Sequence, residues 1–101
     1  MRRIIDGKKY DTETATLVAE WHNEVAKSDF TWYEESLYRK RTGEYFVHGY
    51  GHAASPWAEH MYGAWQPSEG IRPLTKSQAL EWAERHMDPD DYEAEFGEVP
   101  E

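Results

Sequence analysis

Polar and apolar positions divide the chain into short elements. Arg2–Ile5 and Lys8–Tyr10 flank Asp6-Gly7, a dipeptide that favours a two-residue hairpin turn at positive φ. Asp11 and Thr12 offer side-chain oxygens for a helix N-cap. Ala15, Val18, Ala19, Trp21, His22, Val25 and Ala26 then share one broad helical face, with Glu13, Glu20, Asn23 and Glu24 opposite. The spacing predicts an amphipathic helix ending near Ala26. Phe30–Arg41 reads as a strand, but both of its alternating sets contain aromatics, so the pattern does not choose the buried face. Thr42-Gly43 is a turn and Glu44–Tyr50 the returning strand, with Gly49 and Gly51 marking a bulge or a close backbone approach.

Ser55-Pro56 is expected to open a short helical turn through His60, and Tyr62–Gly70 to be loop. Ile71–Leu74 reads as a short strand that Pro73 confines to an edge or a terminus. Thr75-Lys76-Ser77-Gln78 is a capping box. The helix it opens buries Ala79, Leu80, Ala83 and Met87, sets Trp82 and His86 at the margin, and points Glu81 and Glu84 outward. Asp88-Pro89 bends or ends it, and a last helical turn runs through Phe96 to Gly97. These elements make one α+β domain over residues 1–101: a small antiparallel sheet with helices packed on one face. Val18, Trp21, Leu80 and Met87 are expected to be largely buried where two helices meet that sheet. The order of the strands stays open.

Composition narrows the function. The 101 residues include five Trp, seven Tyr, three Phe and no Cys. Without cysteine there is neither a disulfide framework nor a thiolate metal site. Met1–Gly7 has no apolar stretch behind its arginines, and no apolar run approaches the ~20 residues of a membrane helix. A cytoplasmic protein is expected. Twenty acidic against eleven basic side chains leave a formal charge of −9. Residues 1–50 hold eight basic and nine acidic groups, residues 51–101 three basic and eleven acidic, and no basic residue follows Arg85. Such a surface repels phosphate backbones and anionic membranes and attracts basic grooves. The expected partner is a protein that handles nucleic acid, not nucleic acid itself.

Catalytic chemistry finds little support. His48, His52 and His60, with Glu59, supply zinc-type ligands within thirteen residues, yet their spacing matches no metal motif. No serine has a nucleophile-elbow context, and no glycine-rich phosphate cradle is present. With twenty acids, close carboxylate pairs arise by chance, so they do not single out a hydrolase. No enzyme activity, metal or cofactor is expected. Glu81, Glu84, Asp88, Asp91 and Glu95 recur at steps of three or four and would form one acidic helical stripe, bent or split at Pro89. With Trp57 and Trp65 they are the candidate partner-binding residues.

Arg3–Ala15, Trp32–Arg39, Gly43–Gly49 and Leu74–Glu84 together resemble a group of short bacterial proteins of phages and integrative elements, some of them similar to anti-CRISPR proteins. The resemblance covers most of the chain and brings no catalytic residue. It implies a stoichiometric inhibitor that occupies a surface of a CRISPR effector. Effectors hold guide and target in positively charged channels, so the acidic stripe would stand in for phosphates there. The same charge pattern fits a nucleic-acid mimic aimed at another basic protein. Two readings of other classes remain beside it: a scaffold or oligomerisation domain using Trp57, Tyr62 and Trp65, and a metal-dependent hydrolase at His48, His52 and His60. The effector type and the oligomeric state are not legible in the chain.

Overall fold

The computed structural model describes all 101 residues. In chain order the elements are β1 (Arg2–Ile5), β2 (Lys8–Asp11), β3 (Thr16–His22), β4 (Tyr33–Arg39), β5 (Tyr45–Gly51), β6 (Glu59–Met61), β7 (Ala64–Gln66), β8 (Ser68–Leu74), α1 (Lys76–His86) and α2 (Pro89–Phe96). Four strands form an antiparallel sheet in the order β3-β4-β5-β8, while β1-β2 and β6-β7 are separate hairpins. The class is α+β. No helix is long and apolar enough to cross a membrane.

The helix expected between Asp11 and Ala26 is absent; that segment is a turn followed by strand β3. Asp11 does accept from a backbone N–H, that of Glu13 at 2.9 Å, but as a tight turn leading out of β2. The pairing of β3 with β4 shifts register between Leu17 and Ala19. That bulge turns Val18, Ala19 and Trp21 all toward the core. An extra residue in a strand breaks the two-residue alternation, and the resulting spacing imitates one face of a helix. Two further expectations fail downstream. Ser55–Ala58 forms turns, not a helical start, and the segment Tyr62–Gly70 contains β7 and the start of β8.

Alternation then assigns the sheet faces. Leu37, Tyr45 and Val47 point at the helical layer and form the core with Ala79 and Trp82 of α1. Phe46 points the other way and is sealed by the β1-β2 hairpin: Tyr10 meets it edge-on at 5.6 Å and Tyr38 stacks on it at 5.2 Å. Trp82, expected at the margin, is buried; Val18, Trp21, Leu80 and Met87 are only half-buried. The helix sits over β5 and β8, and toward the far edge strand β3 the ring of His86 lies 3.9 Å from that of Trp21. Pro73 stands in β8, an edge strand, as its missing N–H requires. The Thr75 capping box is complete, with Gln78 N–H donating to Thr75 Oγ1 at 3.1 Å and Gln78 Oε1 accepting from Thr75 N–H at 2.8 Å.

Candidate functional site

Polar chemistry under the helices centres on Glu35. It lies on β4 with its side chain on the core side of the sheet, and is 6% exposed. Trp57 Nε1–H donates to its Oε2 at 2.8 Å and Trp82 Nε1–H to its Oε1 at 2.7 Å; Arg72 stands 3.9 Å away. Gly49 faces Glu35 across β4-β5 and Gly70 across β5-β8, which makes a floor without side chains. The Trp57 ring lies on that floor: a Cβ at Gly49 would fall 1.9 Å from it, and one at Gly70 3.3 Å. A groove of about 490 Å³ opens beside this cluster, lined by Tyr33, Arg72, Gln78, Arg85 and His86 among others. Both Glu35 oxygens are occupied by indoles, and Arg85 is paired with Glu81 at 3.0 Å. Apart from His86, the charged groups at the centre of the groove are thus already engaged within the protein. Burial pushes the His86 imidazole below its ordinary pKa, and its Nδ1 is buried without a partner.

The five acids of the expected stripe are divided by Pro89 between two helices with different surroundings. Glu81 bonds Arg85 one turn on. Glu84 is exposed on the outer side of α1, without an ion-pair partner. Asp88 caps α2 by accepting from Asp90 N–H at 3.2 Å, and Asp90 and Asp91 fill its first turn, where negative charge suits the helix dipole. Glu95 turns inward, accepting from Arg39 and, at 2.6 Å, from the Tyr45 hydroxyl. Burial pushes the Glu95 carboxyl up, but those hydrogen bonds outweigh it and hold its pKa below the ordinary range. Outside the stripe, Glu98 and Glu101 are exposed on the tail. Ala83, Glu84, Met87, Pro89, Tyr92, Glu93 and Val99 line a largely apolar, open surface hollow of about 330 Å³ at this acidic end.

Of the candidate aromatics, Trp57 is spent on Glu35, whereas Trp65 is 61% exposed on β7. The turn between β6 and β7 carries Tyr62, 94% exposed. All six strand residues of this hairpin are exposed too. The histidines stay apart: His48 lies 3.1 Å from Glu69, His52 contacts the Asp29 carbonyl at 2.9 Å, and His60 meets the Trp65 ring at 5.0 Å. No three His, Asp or Glu side chains converge on a point that could hold a metal ion.

Comparison with protein-family models, with curated proteins and with solved structures gave no match. Glu35, and the place of Tyr62 in a hairpin turn, escaped the reading of the sequence. Glu35 gave no local signal, because its partners lie 22 and 47 positions away. Tyr62 had one: Tyr-Gly is a two-residue turn of the same form as Asp6-Gly7, but its flanking strands are too short and exposed to show alternation.

Proposed function

We propose that the protein is a non-enzymatic binding protein of the cytoplasm that docks on a basic surface of a protein handling nucleic acid. Inhibition of a CRISPR effector, by filling a groove meant for nucleic acid, is the form that the family resemblance implies. One observation carries the reading. Glu84, Asp88, Asp90, Asp91, Glu98 and Glu101 are exposed on and beyond the helices, and none of them pairs with a cation. Helix capping accounts for three of these acids locally, yet it leaves their charge uncompensated. A partner bearing lysines and arginines would neutralise them, and the apolar hollow among them offers an anchor point of the kind that concentrates binding energy. The absence of a nucleophile, base and orienting group in either groove supports binding over catalysis.

The test replaces Glu84 with Gln and Asp88 and Asp91 with Asn, which keeps the α2 cap because Asn caps as well as Asp. Glu95 is left alone, since it holds α2 to the sheet. The variant is expected to bind and inhibit the candidate effector at least about tenfold more weakly, with a shallower dependence on salt. Unchanged inhibition together with binding indifferent to ionic strength would sink the reading.

A further inference from the structure

The molecule extends 48 Å along its longest axis, and its radius of gyration of 14.7 Å exceeds the about 13 Å of a compact domain of 100 residues. The β6-β7 hairpin belongs to this open shape: it is joined to β8 through Pro67 and pairs with no strand of the main sheet. Its turn is unusual. Two hairpins in the chain use two-residue turns with both residues at positive φ. At the first the residues are Asp6 (φ 50°) and Gly7 (φ 77°), types suited to that region. At the second they are Tyr62 (φ 51°) and Gly63 (φ 78°), and a bulky side chain at positive φ is strained. The same position also exposes an aromatic ring almost completely. Asparagine there would relieve both penalties at once. Backbone strain of this kind is found where a side chain must be presented.

The surroundings specify what the ring is presented to. Between Arg41 and Arg72 the chain has no Lys or Arg; the arm carries Glu59, while Glu69 at its base is already engaged by His48. Tyr62 and Trp65 are exposed, Trp65 with His60 against one side of its ring, and aromatic faces attract cations, as does the Glu59 carboxyl. Phosphate is repelled by the same acids, and a second copy would bring its own charge of −9. Arginine answers both features, since its guanidinium stacks on aromatic rings and pairs with carboxylates. We propose that the β6-β7 arm is a second contact surface, on which Tyr62 and Trp65 receive arginine side chains of the protein partner. This rests on the reading of the molecule as a binder of basic proteins, but on a different surface from the acidic helices.

The test compares a short arginine–serine peptide with its lysine–serine counterpart of equal length and charge, titrated against the whole protein and its Tyr62→Asn and Trp65→Ala variants. The arginine peptide is expected to bind about threefold or more tighter, and each variant to remove that preference. Tyr62→Asn should raise the melting temperature or leave it unchanged, so lost binding cannot be blamed on lost folding. No preference for arginine, or a preference that survives both variants, would overturn the assignment. So would concentration-dependent dimerisation that Tyr62→Asn abolishes, or saturable binding of single-stranded DNA at the arm. Failure of the acidic-helix reading looks different: effector and peptide binding would survive the Glu84, Asp88 and Asp91 substitutions while the arm variants still erased the arginine preference.

Discussion

Glu35 occupies a position in β4 where the neighbouring Leu37 is fully buried, and it is accommodated only because two indoles donate to it. A buried polar atom left without a partner costs more than the bond it replaces is worth. Glu35→Gln exchanges one accepting oxygen for an amide NH₂, which must then face an indole N–H, donor against donor. The expected loss is about 1–3 kcal/mol in a urea titration, with a change in tryptophan fluorescence as Trp57 or Trp82 is released. An unchanged midpoint would mean that the clamp does not hold the helical layer to the sheet. Only half of this arrangement was legible in the chain. Gly49, with Gly51, announced a bulge or a close backbone approach, because a strand glycine leaves room for either. That the approaching group is Trp57, from a turn eight residues on, follows from the return path of the backbone.

At the scale of elements, most signals confined to a few neighbouring residues read correctly, although the caps expected at Asp11 and Ser55 open no helix. The Asp6-Gly7 turn, the Thr75 box, the break at Asp88-Pro89 and the stop at Gly97 each depend on the backbone of their own four or five residues. Thr75→Ala removes one side of the box and should cost about 1 kcal/mol, measured as a fall in thermal stability. Thr75→Ser should restore most of it. The region Thr16–His22 went wrong because its bulge exists only in the pairing with β4, and the three inward residues at 18, 19 and 21 are compatible with either period. β6 and β7 were missed because neither three-residue strand has a buried side to generate alternation.

At the scale of the whole molecule, the groups whose pKa is displaced on folding make stability depend on pH, the exposed Glu44 pair less than the more buried Glu95, Tyr45 and His86. Hydrogen bonds from Lys8, Thr42 and Lys40 hold the Glu44 carboxyl down at about 2, and Arg39 and Tyr45 hold Glu95 below its ordinary 4.5. Burial likewise keeps His86 below 6.5. A group whose pKa is lowered by folding binds fewer protons in the native state, so its stabilisation is present above the unfolded pKa and fades as the pH falls. Tyr45 runs the opposite way. Burial and its bond to Glu95 raise it to about 12, so its contribution is complete below pH 10 and disappears as the pH rises toward 12. Thermal unfolding followed across pH is therefore expected to show a plateau from about 7 to 10. Decline should begin below about 6.5 as His86 charges, steepen below about 4.5, and begin again above 10. A midpoint that keeps rising from pH 5 to pH 3 would contradict this, and would make relief of the net negative charge the larger effect.

The chain by itself determined the class of the fold, the hairpin at Asp6-Gly7, the strands around Thr42-Gly43, both C-terminal helices and the acidic charge of the second half. These depend on backbone preferences and side-chain charge, which each residue carries with it. Tertiary structure decided that Thr16–His22 is an edge strand, that Glu95 and Trp57 face inward, and that Tyr62 and Trp65 stand clear of the sheet. Those outcomes depend on which surfaces meet, and contacts between residues 22 to 56 positions apart leave no period in the sequence.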